Sequence, residues 1–216
     1  MFSYYGDLNL IEEVEHDCPY VHYVPWCTEM NEVRIEVPRN RNIGIYMGSL
    51  EAFKNAGELV SAILLILNQT ATEKFIVVGP GSYAPQIKQL AVRFGERLEY
   101  IESLSRPEAM RLLRSAGYGY TPVSDCGLGF IGDCWGTGTP LVTTHNLEGF
   151  LKKDNDSLIA ENVNDLPRVI NTLLSSELLY KRIQQGGLRR YESNHTARAV
   201  GEKYLAVIRE VIQPSR

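Results

Sequence analysis

Two aspartates, Asp125 and Asp133, bracket a glycine-loosened turn in the stretch PVSDCGLGFIGDCWGTGTPLVTTHN, residues 122–146. A carboxylate on each side of such a turn can accept hydrogen bonds from two parts of one polyhydroxylated ligand, and backbone amides at a helix start suit phosphate. Binding is the better reading than proton transfer, because nothing in the neighbouring sequence predicts a raised carboxyl pKa. The plainer reading has Asp125 capping the following helix and Asp133 facing solvent.

Other chemistry-bearing residues are scattered. Lys54 opens a helix, where a cation opposes the helix dipole; the placement makes sense if it neutralises a bound diphosphate, and otherwise it is a solvent-facing lysine. Gly79-Pro80-Gly81-Ser82 follows a strand as a phosphate-side turn does, but it is neither the dinucleotide fingerprint nor a Walker loop, and a tight strand-to-helix turn is the alternative. His16, Cys18, His22 and Cys27 lack the paired spacing of a zinc site, so no metal is expected. Cys126 and Cys134 are expected to pack beside the turn, and His145 to be a satisfied structural histidine. Arg34, Arg39 and Arg41 are expected to face solvent. No Ser-His-Asp, Cys-His or paired-carboxylate arrangement stands out, which argues against hydrolysis.

These residues need elements to hold them. Apolar runs at Ile43 to Met47, Phe75 to Val78, Leu98 to Ile101, Tyr118 to Val123, Pro140 to Thr144 and Ser157 to Ala160 read as strands. Between them lie helical patterns: one from about Ala52 or Asn55 to Asn68 with Leu59, Ile63 and Ile66 or Leu67; one from Ser82 with Ile87, Leu90, Ala91 and Phe94; and one opened by the capping box Ser105-Arg106-Pro107-Glu108. Asp165 is expected to cap a further helix, Ser176 to start a short one broken at Gly186-Gly187, and Asn194 to Ile212 to form the last. Strands alternating with helices predict an α/β fold, a Rossmann-like parallel sheet with helices on both faces. Right-handed crossovers then gather the loops at Gly48 to Lys54, Gly79 to Ser82, Glu102 to Ser105 and Val123 to Gly129 at the carboxyl ends of the strands. Residues 1–41 are expected to form a short N-terminal extension and residues 42–216 the domain.

The totals exclude several classes. With 216 residues, 44% hydrophobic and 22% charged, the composition is that of a soluble globule with one substantial core. A formal net charge of −4 gives no footprint for nucleic acid. The longest apolar run, Leu59 to Leu67, is short of a membrane span, and the first residues lack the features of a secretory signal. A cytoplasmic protein, with peripheral membrane attachment left open, is the expectation; four cysteines in a chain of this length suit reduced thiols.

In order along the chain, GSLEAFKN, FIVVGPGS and the D-x7-D stretch with GTGTPLV, followed by a long final helix, resemble the C-terminal, donor-binding half of a GT-B retaining glycosyltransferase of the family 4-like group (glycosyl transferases group 1). The resemblance runs from about Asn42 to Ile212. It implies sugar transfer from a nucleotide diphosphate sugar, which is substrate and not cofactor, to a saccharide, lipid or protein acceptor. It also implies Lys54 and Asp125 in catalysis, the lysine on the donor diphosphate and the aspartate on the sugar. Asp133 would take the ribose, and Gly48, Ser49, Gly79, Gly81, Gly127, Leu128 and Gly129 would line the donor. Both acids are Asp where the family has Glu, Leu128 stands at the family's usual glycine, and Ser49 stands where an arginine commonly assists the lysine, a role Arg39 or Arg41 would have to fill. A complete GT-B enzyme has two such domains, so turnover is expected to need a second domain or a partner. The competing expectation is a non-catalytic nucleotide-binding or protein-interaction subunit of a glycosyltransferase complex.

Overall fold

The computed structural model describes residue 27 and residues 37–122, 128–145 and 150–212. Six strands form one parallel sheet: β1 (Asn40–Met47), β2 (Lys74–Val78), β3 (Leu98–Ile101), β4 (Ala116–Thr121), β5 (Leu141–Thr143) and β6 (Leu158–Ile159). Their order, β3-β2-β1-β4-β5-β6, reverses direction between β1 and β4. That reversal opens a crevice at the strand carboxyl ends, the usual ligand position in an open α/β sheet. The helices are α1 (Ala56–Gln69), α2 (Ala84–Phe94), α3 (Arg106–Ser115), α4 (Leu128–Thr137), α5 (Leu166–Ser175), α6 (Glu177–Asn194) and α7 (Ala197–Ile212).

Strand periodicity divides the core. Tyr46, Phe75 and Val77 point to one side, where Leu59, Ile63 and Ile66 of α1, Ile87 of α2 and Ile170 of α5 cover them. Their neighbours Ile45, Ile76 and Val78 point to the other, against Met110 and Leu113 of α3 and Phe130, Ile131 and Trp135 of α4. The Rossmann-like architecture expected from the alternating pattern is therefore the observed one.

Two local expectations are corrected. Gly186 and Gly187 do not break a helix; they lie inside α6. A Cβ on Gly186 would stand 1.8 Å from Asn155 O and one on Gly187 2.6 Å from Trp135 Cδ1, so these glycines form a notch through which α6 approaches the chain beneath it. Asp165 does not cap α5 with its side chain. Its carboxylate takes Arg168 Nε at 2.7 Å, while Asn162 caps the short 3-10 turn Val163–Asp165 by accepting from Asn164 N at 2.9 Å. The Ser105 capping box and the Ser176 cap, which accepts from Leu179 N at 3.2 Å, are present as expected.

At the amino edge of the sheet, Arg39 and Arg41 are not simply solvent-facing. Arg39 donates to Arg114 O at 3.0 Å, to Thr137 O at 3.0 Å and to Gly138 O, the last turns of α3 and α4. Arg41 donates to Leu173 O and Leu174 O, both at 3.2 Å, at the end of α5, and pairs with Glu177. Helix ends leave carbonyls unsatisfied and carry partial negative charge, which accounts for a guanidinium at each.

Candidate functional site

The carboxyl edge is assembled around the connection from β1 to α1. Gly48 N donates to Val78 O at 2.9 Å and Leu50 N to Pro80 O at 2.7 Å, so this loop lies against the one after β2. Tyr83 N returns a bond to Leu50 O at 3.0 Å, and Glu51 accepts from Ser82 N at 3.0 Å and Ser82 Oγ at 2.5 Å. A short 3-10 turn, Ala52–Lys54, then leads into Asn55, which takes the left-handed conformation at φ 53°. Asn55 Nδ2 donates to Pro122 O at 2.9 Å, fastening Lys54 and the start of α1 to the end of β4, shortly before Asp125 in the sequence.

In the first turn of α1, Glu58 collects partners from two strand ends. It accepts from Tyr120 OH at 3.3 Å and from Thr144 Oγ1, and its second oxygen lies 3.1 Å from His145 Nε2. The imidazole is 39% exposed, so His145 is satisfied yet accessible at the carboxyl edge of the sheet. Glu58, Tyr120 and Thr144 were missed in the sequence because each pairing joins positions far apart in the chain. The strand-order argument that brings loops to one edge was the only signal that could have found them.

Two of the predicted glycines have a packing role. Gly79 and Gly81 have φ of 140° and 152°, and a Cβ on either would meet Gly48 O at 1.9 Å or Leu50 O at 2.4 Å. Their missing side chains make room for the β1 loop, as the tight-turn reading requires. Gly79 N already donates to Ile101 O at 3.0 Å, and Gly48 N to Val78 O, so neither amide is left for an anion. Ser49 is partly buried in the same loop, its carbonyl accepting from Tyr46 OH at 3.0 Å. Arg39 and Arg41 sit at the amino edge and cannot replace the arginine absent at Ser49.

Asp133 is not solvent-facing. It is 8% exposed on the second turn of α4, and both its oxygens accept from the Arg106 guanidinium, at 2.6 and 2.5 Å. Burial raises its carboxyl pKa, and the Arg106 hydrogen bonds and charge oppose that rise. Arg106 opens α3 directly after β3, so the pair lies toward the carboxyl edge, approached from the helix layer opposite the one to which α1 belongs. Sequence reading took Arg106 only as part of a capping box; a cation at a helix start, the signal used for Lys54, marked it equally.

Asp125, Gly127 and Cys126 lie outside the described residues. Leu128 begins α4, and Gly129 in its first turn is exposed with open space where a side chain would stand. Cys134 is fully buried and its thiol is pushed well up by that burial, which suits packing and not reaction. His16, Cys18 and His22 also lie outside the described residues, and Cys27 is exposed. Among the described residues no group of three or more His, Cys, Asp or Glu is placed to hold a metal, and no helix is long and apolar enough to cross a membrane. The final helix leaves Leu205, Ile208 and Ile212 exposed at one-turn spacing.

No protein-family model matches the chain, and no match is found among curated proteins. Solved structures do match. Sucrose-phosphate synthase from Thermosynechococcus elongatus superposes with a TM-score of 0.75 at 16% identity, over 97% of this chain and 58% of that one. TarM from S. aureus, in a complex with UDP, gives 0.74 at 13% over 94% of this chain and 43% of its own length. The C-terminal domain of a glycosyl transferase group 1 family protein, LpcC from Francisella tularensis, gives 0.60 at 14% and is itself covered to 89%. The chain thus spans less than half of TarM but most of an isolated C-terminal domain. Its fold is that of the C-terminal half of a GT-B glycosyltransferase.

Proposed function

We propose that this chain binds the nucleotide diphosphate sugar donor of a retaining glycosyltransferase and transfers the sugar when joined to an acceptor-binding domain or subunit. The observation that supports this reading is the Asn55–Pro122 bond, which ties the residue after Lys54 to the end of β4. In that position the Lys54 ammonium stabilises negative charge developing on the leaving diphosphate. Asp125 orients the sugar. Asp133 serves the ribose as a shared acceptor with Arg106, whose guanidinium supplies a second cation toward the edge that Ser49 does not. Glu58 holds Thr144 and His145 as a fixed polar wall beside Lys54. UDP is the first nucleotide to test, since TarM and the O-GlcNAc transferase GtfA were both solved with it. The donor's base, the sugar and the acceptor follow from binding measurements.

The exposed Leu205, Ile208 and Ile212 stripe supports the need for a partner surface, and it equally supports the second reading, a non-catalytic subunit. Transfer of radiolabelled sugar with and without candidate partners separates the two. Binding without transfer under every combination leaves only the subunit.

A further inference from the structure

On the α4 side of the sheet, away from Lys54 and Glu58, a cavity of about 380 Å³ opens between the second half of α6 and the segment Phe150–Asp156. Its wall is built around a buried ion pair. Asp156 is 1% exposed; one oxygen accepts from Lys152 N and Ser157 Oγ, both at 3.0 Å, and the other from Arg190 Nη1 at 2.6 Å. The Arg190 guanidinium is stacked 4.7 Å from the Trp135 ring centroid and 4.4 Å from that of Phe150. Such a guanidinium is fixed before any ligand arrives, which lowers the ordering cost of binding.

Among the described residues, the charges lining this cavity do not cancel. Arg190 neutralises the one carboxylate, Asp156, and Lys152 and Arg189 remain, both exposed and with no side-chain ion pair among the described residues. Two uncompensated cations beside one cavity run against a chain whose formal net charge is −4. Guanidinium and ammonium groups favour oxyanions, and a concave site focuses their field. The volume falls within the roughly 300–1,000 Å³ range of small-molecule sites.

We propose that this cavity is a second binding site, separate from the strand-end crevice, for a small molecule bearing an oxyanion, phosphate or carboxylate. Lys152 and Arg189 attract the anion and the Arg190–Asp156 pair shapes the floor. The inference does not depend on nucleotide-sugar binding and stands or falls without it.

Trp135 provides the reporter, because its indole Nε1 donates to Asp156 O at 3.0 Å directly behind the pair. The test follows the Trp135 indole resonance of the full chain, assigned with Trp26→Phe, during titration with inorganic phosphate and, separately, citrate at constant ionic strength. A saturable shift with millimolar or tighter affinity is expected for at least one; phosphate alone or citrate alone identifies the preferred oxyanion. The double variant Lys152→Glu/Arg189→Glu, with both changes on exposed side chains, should weaken it at least about tenfold. Lys88→Glu/Arg93→Glu on α2 carries the same change in net charge and should leave it intact. No saturable shift with either anion overturns the proposal, as does equal weakening by the α2 control pair. Arg189→Gln alone covers the case in which the double reversal unfolds, and should weaken binding a few-fold.

Discussion

At the amino edge of the sheet, Arg39 and Arg41 aim their guanidinium groups at the carbonyl ends of α3, α4 and α5. At the carboxyl edge, Lys54, Glu58, Arg106 and His145 stand partly exposed around the loops, and those with side-chain partners described above meet other side chains. The same parallel topology generates both edges, yet the cations at the first close the carboxyl ends of helices and those at the second stand where helices begin. The contrast teaches how to separate structural from functional charge in such a fold. A cation bonded to backbone carbonyls at a helix C-terminus is explained by the fold, whereas one at a helix N-terminus opposes the dipole and asks for an anion.

The largest effect expected is one that dissolves both edges together. Tyr46, Tyr118 and Tyr120 are buried on the two strands between them, and burial pushes the Tyr46 phenol up to about 12 and the other two higher. Each folded-state pKa lies above the ordinary value near 10, so the stability these neutral phenols carry is complete below pH 10 and declines as pH rises through 10 toward the folded values. The loss is about 1.4 kcal/mol per phenol for each pH unit above 10, on the order of 4 kcal/mol for the three at pH 11. Tyrosinate absorbance should therefore show these phenols ionising only with global unfolding; early, independent ionisation would contradict their burial.

Arg39→Ala should cost roughly 2–4 kcal/mol of stability, because hydrogen bonds to a charged group are worth about 1.5–3 kcal/mol and several carbonyls lose theirs. The denaturant midpoint measures it, and the folded fraction should bind UDP as the parent chain does. Arg106→Ala should cost less, about 1–2 kcal/mol, since it strands a buried carboxylate but removes a half-exposed guanidinium. It should also weaken UDP, which Arg39→Ala should not. Glu177→Ala breaks an exposed pair with Arg41 and should stay within about 0.5 kcal/mol. A larger loss there would mean that the amino edge depends on side-chain pairing after all.

Much of the architecture was legible because short β-rich runs and amphipathic helices alternate with capping and turn residues between them. Ser105-Arg106-Pro107-Glu108 announced its helix through reciprocal hydrogen bonds within a few residues. Gly186 and Gly187 misled because glycine signals both a helix break and a close approach, and only Trp135 and Asn155, distant in sequence, decide which. The site was half legible for the same reason. Lys54 and Asp133 were nominated from local sequence and the resemblance, but Arg106 on Asp133 and Tyr120, Thr144 and His145 on Glu58 are contacts that only the closed sheet creates. The Gly79 turn looked like a phosphate-side turn because a strand-end glycine does not disclose where its amide already donates.

The most direct test is a calorimetric titration of UDP into the parent chain, Lys54→Ala and Arg39→Ala. Lys54 at a diphosphate requires saturable binding by the parent, a loss of about 10- to 100-fold in Lys54→Ala from one charge-assisted contact, and unchanged affinity in folded Arg39→Ala. Saturable binding that is indifferent to Lys54, or no binding of UDP, GDP or ADP at all, would contradict it.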